Sequence, residues 1–120
     1  MIFSVNTRKV GGAVIIDISG RFTMGEPALL LRETIRRFIA GGNMRFVINM
    51  EEVSYIDSSG LGELVATYTM VKNQKAHLKL MKLTPRTKDL LQMTKLLAVF
   101  DTYDDEQKAV AALASAAAHA

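Results

Sequence analysis

Two adjacent hydroxyls follow an aspartate in the stretch "YIDSSGLGEL", residues Tyr55 to Leu64. Asp57, Ser58 and Ser59 stand between a run that reads as a buried strand and one whose apolar residues recur at helical spacing. Polar groups at such a seam have three readings. They cap the helix, they act as nucleophile and base, or a hydroxyl receives a phosphoryl group.

The neighbours argue against catalysis. A hydrolase nucleophile elbow needs G-x-S-x-G, but Ser58 is flanked by Ile56 and Gly60, and Ser59 by Asp57 and Leu61. A serine nucleophile also needs a base. The two histidines are His77, at an expected strand start, and His119, in the C-terminal tail. Gly60 and Gly62 begin a dinucleotide fingerprint, yet Val65 stands where its third glycine belongs. No G-K-[S/T] occurs. The carboxylate pairs Glu51/Glu52 and Asp104/Asp105 are adjacent residues, which diverge on most backbones. There is no cysteine and no metal-ligand spacing. The expectation is a protein that is not an enzyme and holds no cofactor or metal.

A helix cap needs one side chain, and Asp57 or Ser58 would serve. Here three polar groups precede two glycines, Gly60 and Gly62. Glycine in a first turn costs helix stability. Its common benefit is a bare backbone that another surface can approach. A phosphoserine, carrying about −1.5 to −2 charges, is tolerated at a helix N-terminus, where the dipole favours an anion. A partner docked on the same turn would be repelled. On these residues alone the cap and the phosphate acceptor both remain open.

The 120 residues suffice for one domain, and 49% apolar with 22% charged residues is a globular composition. No stretch of about 18 uncharged apolar residues suggests a membrane span, and the N-terminus "MIFSVNTRKV" lacks the form of a secretion signal. A cytoplasmic location is expected. The Lys and Arg residues behind the net charge of +3 are scattered, in clusters no longer than short ones such as Arg32 with Arg36 and Arg37, and there is no tryptophan. Direct binding to nucleic acid is not expected.

Strands are expected at 2–8 and 13–19, joined by a tight turn at Gly11–Gly12. A helix with Pro27 in its first turn and Leu31, Ile35, Phe38 and Ile39 on one face should end at Gly41–Gly42. A strand at 44–50 precedes the seam. Leu61, Leu64, Val65, Tyr68 and Val71 mark the face of a second long helix reaching about Lys72. A strand at 77–83 leads to Thr84 as N-cap and Pro85 at the first position of a third helix, with Leu90, Leu91 and Thr94 on its face. A strand within 98–103 and a capping box of Asp104 with Gln107 introduce an alanine-rich last helix. The order β-β-α-β-α-β-α-β-α implies an α/β domain with a mixed, mostly parallel sheet. The domain is expected over 1–113, with 114–120 a frayed tail.

"VINMEEVSYIDSSGLGEL" resembles the signature of the anti-sigma factor antagonists of the STAS domain family: a hydrophobic strand, a short turn, then D-S-[S/T]-G-[L/I]-G opening a helix. "LTPRTKDLLQMTKLLAVFDTYDDEQKAVAAL" is similar to the family's C-terminal half, and the element order matches across residues 3–113. The resemblance implies a partner switch. The unmodified antagonist would bind an anti-sigma factor that is a serine kinase of the histidine-kinase-like ATPase fold, releasing a sigma factor. The kinase would phosphorylate Ser58, weakening the complex, and a serine phosphatase would restore it. Asp57, Ser59, Gly60, Leu61 and Gly62 match the motif and would flank the docking site. Leu61 alternatively belongs to the core, by the helix periodicity.

Three features depart from the pattern. In "GRFT", Thr23 takes the place of a frequent acidic residue in the loop after the second strand, and so joins the docking residues without a charge. The next helix starts with Glu26-Pro27. "NQKAH" replaces a glycine pair before the strand at 77–83. The resemblance admits a second role, a stand-alone STAS accessory or scaffold subunit of a stress-sensing or lipid-transport complex. A small-ligand domain using Gly60 and Gly62 against a phosphate is a third reading. The pattern runs from first strand to last helix, which makes a transporter tail unexpected.

Overall fold

The computed structural model describes residues 2–118, with side chains described as far as Ser115. Gly11 and Gly12 both take positive φ, 55° and 81°, as a two-residue primed turn requires. They join β1 (Ser4–Val10) to β2 (Ala13–Phe22) as an antiparallel hairpin. There follow α1 (Glu26–Ala40), β3 (Arg45–Ile56), α2 (Ser58–Asn73), β4 (His77–Met81) and α3 (Pro85–Met93). A single 3-10 turn (Leu97–Val99), β5 (Thr102–Tyr103) and α4 (Glu106–Ala118) complete the described chain. The sheet order is β1-β2-β3-β4-β5, with β2 to β5 parallel. This is the expected α/β domain with a mixed, mostly parallel sheet.

Each parallel strand lies beside its successor, so crossovers of one hand put α1, α2 and α3 on the same face. The main core lies there: Ile16, Ile18, Phe22, Leu31, Ile35, Phe46, Ile48, Leu64 and Leu80 are all buried. On the other face α4 covers a smaller cluster of Ala13, Ile15, Val47 and Met81 with Ala109 and Leu113. The first halves of β2 and β3 are therefore covered on both sides, and Ala13 to Ile16 and Phe46 to Ile48 read as continuous apolar runs. At the edge of α4, Arg8 pairs with Asp17 at 2.8 Å and with Glu106 at 2.6 Å. Asn49 Nδ2 donates to Asp17 at 2.9 Å. The Arg8 guanidinium holds the Asp17 carboxyl below its ordinary range, against the opposing effect of burial.

Several boundaries differ from expectation. β1 begins at Ser4 and runs to Val10, and β2 extends past residue 19 to Phe22. β3 continues past residue 50 to Ile56. Asp17 pairs with Asn49, Ser19 with Glu52 and Arg21 with Tyr55, so β3 carries one extra residue at each of two steps. These bulges break the two-residue period at Glu51–Glu52, where the sequence reads as a loop. β4 stops at Met81, because Lys82 turns to a φ of 56°. The strand expected within 98–103 is a 3-10 turn followed by two strand residues. Asp105, not Asp104 with Gln107, caps α4, its carboxylate accepting from the Lys108 N–H at 2.8 Å. α4 passes residue 113 and runs to Ala118. His119 and Ala120, in the expected tail, lie outside the described residues.

Candidate functional site

The two bulges re-aim the end of β3. Ile56, its last residue, is buried and pairs with Phe22, the last residue of β2. Thr23 and Asp57 therefore leave the sheet from neighbouring strand ends. Asp57 has extended φ and ψ (−115°, −178°), and its carboxylate accepts from the Gly60 N–H at 2.7 Å. That is an N-cap, and Asp57 alone supplies it. Ser58 and Ser59, the first residues of α2, are exposed. The hydroxyls are thus not needed as caps.

The first turn of α2 has an inward and an outward side. Gly60 is buried, and a Cβ on it would lie 2.2 Å from the Phe22 carbonyl oxygen. Leu61 is 1% exposed and belongs to the main core. Gly62 is exposed, with nothing within 4 Å of where a Cβ would stand. The bare backbone expected at both glycines exists only at Gly62. At Gly60 the surface that comes close is the protein's own β2.

Ser58 stands at the mouth of an open groove of about 550 Å³. Tyr55 and Asp57 share its wall, and Arg86, Asp89, Leu90 and Met93 of α3 form the facing wall. α3 is set rigidly: Thr84 accepts from the Thr87 N–H at 3.2 Å, and Thr87 and Leu91 are buried. Met93 is 80% exposed at the rim. The Arg86 guanidinium lies 5.3 Å from the Tyr55 ring centroid, and that of Arg21, the register partner of Tyr55, lies 4.1 Å from it. These are cation–π distances. Thr23 lines a second groove of about 370 Å³ with Arg21, Glu26 and Leu30, next to exposed Met24 and Leu29. His77 begins β4, paired with Arg45 at the far end of the strand from Ser58. Among the described residues no three His, Cys, Asp or Glu side chains gather as a metal site.

The STAS domain family model matches residues 4–109. The chain belongs to the STAS domain family. It is 31% identical to the anti-sigma-B factor antagonist of Bacillus subtilis over 101 residues, covering 84% of this chain and 91% of that protein. Among solved structures, an anti-sigma factor antagonist from Mycobacterium paratuberculosis superposes with a TM-score of 0.78 at 23% identity, over 93% of this chain and 94% of that one. SpoIIAA, a Bacillus cell fate determinant in its phosphorylated form, gives a TM-score of 0.66 at 20% identity, over 91% and 96%. The solved structures show the fold, and the curated relative places the chain among anti-sigma factor antagonists.

Within this STAS domain the residues expected to form the site separate into two sets. Ser58, Ser59 and Gly62 face outward, and half-buried Thr23 leaves the adjacent strand. Asp57, Gly60 and Leu61 hold the turn from inside. Gly60 and Leu61, which the resemblance sets beside the docking site, are buried, Leu61 in the core as its helical spacing alternatively implied. The groove adds residues with no signal in the motif, Tyr55, Arg86, Leu90 and Met93, and the Tyr55 ring brings Arg21 of the neighbouring groove beside them. Tyr55 stands two residues before the aspartate, but its pairing with Arg21 depends on the β3 bulges. Arg86 arrives from a different helix.

Proposed function

We propose that this STAS domain is a phosphorylation-controlled antagonist of an anti-sigma factor. Its unmodified form docks a serine kinase of the histidine-kinase-like ATPase fold through the surface around Ser58, Ser59, Gly62 and Thr23, and so frees a sigma factor. The kinase transfers the γ-phosphoryl group of ATP to Ser58 Oγ, with loss of the hydroxyl proton. A serine phosphatase hydrolyses the ester and restores docking. The observation that carries this reading is the division of labour at one turn: Asp57 performs the cap, and the Ser58 hydroxyl stands exposed at a groove. The family relation to anti-sigma factor antagonists supports it.

The switch needs no refolding. A phosphate on the first residue of α2 meets the favourable end of the helix dipole, so the fold tolerates it. A docked partner meets a dianion beside the Asp57 carboxylate. Each tenfold loss of affinity takes about 1.4 kcal/mol, which like-charge repulsion at a desolvated contact supplies. Ser58→Ala should retain kinase binding and lose phosphorylation. Ser58→Glu should weaken binding at least about tenfold, at unchanged stability. Mass spectrometry after incubation with kinase and ATP should find the phosphate on Ser58; a phosphate on Ser59 alone would overturn the assignment.

A further inference from the structure

Arg86 and Ser58 line the same groove. Among the described residues, no carboxylate lies within ion-pairing distance of the Arg86 or the Arg21 guanidinium. This is unlike Arg8 and Arg32, whose guanidiniums are paired with Asp17 and Glu106 and with Glu63. Both free guanidiniums rest against the Tyr55 ring, a weaker partner than an anion. The two carboxylates of the groove leave Arg86 available. Asp57 is engaged by the Gly60 N–H, and Asp89, one helical turn from Arg86, makes no ion pair with it.

We propose that Arg86 is the internal counter-ion of phosphorylated Ser58: the groove between α2 and α3 is a phosphoryl-binding site that fills when the domain is modified. This rests on the reading of Ser58 as the phosphate acceptor. A phosphoserine presents three strong acceptor oxygens, and guanidinium is the side chain that matches them best. The cation leaves Tyr55 for the phosphate and spans the groove that the unmodified domain leaves open. Modification then acts twice on a docked partner, by placing an anion in its path and by closing the groove beside it. Arg21, on the other side of the site with Thr23, stays on Tyr55.

The test does not require the kinase. Phosphoserine is installed at position 58 of the full chain during translation, and its second ionisation is followed by ³¹P NMR against pH. An unperturbed phosphoserine titrates near pH 6. The phosphate of the wild-type domain should titrate about half a pH unit or more below that of Arg86→Ala. Arg86→Lys should fall between them, because a point charge attracts the dianion without the bidentate match. Arg21→Ala removes an equal charge from the neighbouring groove that Thr23 lines and should stay near wild type. The proposal is overturned if wild type and Arg86→Ala titrate alike, or if Arg21→Ala moves the curve as far as Arg86→Ala does. Failure of the kinase to modify Ser58 would instead count against the proposed function, and the two failures are read in separate experiments.

Discussion

The edge of α4 and the mouth of α2 both gather charge beside the sheet, and they use it in opposite ways. At α4 the circuit is closed: Arg8 holds Asp17 and Glu106, and Asn49 completes the Asp17 carboxylate. At the mouth of α2 only the inward half is closed, by Asp57 on Gly60 and by Leu61 in the core. The outward half leaves the Ser58 hydroxyl exposed, Gly62 bare, and two guanidiniums with an aromatic ring in place of an anion. Groups that pair with one another hold a fold together. Groups left exposed without an anionic partner around one helix mouth are available to another molecule or to a modification.

Substitutions that separate these halves should sharpen the contrast. The largest effect is expected at Gly60. A methyl group there meets a backbone carbonyl at 2.2 Å, which α2 relieves only by moving away from β2. Gly60→Ala should destabilise the domain by about 3 kcal/mol or more, read from its urea midpoint. Asp57→Ala removes the one cap and should cost about 1 kcal/mol in the same assay.

A smaller effect is expected at the α4 edge. Asp17 has a depressed carboxyl pKa in the folded state, so its contribution to stability is present above about pH 4, the ordinary carboxylate value. It is lost as the pH falls through the lower folded value. The half-exposed pair is screened, so the amount is about 1 kcal/mol or less and shrinks with salt. Asp17→Asn should therefore flatten the acid limb of a stability–pH profile. A mutant with an unchanged acid limb would break the description of that circuit. The smallest change belongs to Gly62→Ala, expected to stabilise α2 by about 0.5 kcal/mol, since nothing obstructs the added methyl. The opposite signs at Gly60 and Gly62 are the local form of the comparison.

Much of the architecture was legible because its signals are local. The Gly11–Gly12 turn, the Thr84 cap before Pro85, and the Leu61, Leu64 and Val71 stripe of α2 each lie within a few residues and appear where expected. The order of strands and helices follows from them. The sequence signal of β3 ends early because its bulges set two exposed glutamates side by side, and period two fails there although pairing continues. The last strand is shorter than "AVFDTY" implies, because the segment is apolar enough for a strand while its backbone makes a 3-10 turn first. At the site, the DSSG motif pointed to Ser58. The close approach that fixes Gly60 has no local signal, because its neighbour, the Phe22 carbonyl, is 38 residues away in the chain. The Arg21, Tyr55 and Arg86 set was invisible for the same reason. Three elements bring it together, and nothing in the spacing of two scattered arginines announces a common aromatic ring.

The central claim concerns one hydroxyl, and a pair of affinities tests it most directly. The dissociation constant of the proposed anti-sigma kinase partner is measured for the unmodified domain and for the domain carrying phosphate on Ser58, at one ionic strength and with the fold of both forms verified. Binding of the modified domain should be weaker by at least about tenfold. Equal dissociation constants for the two forms would contradict the account.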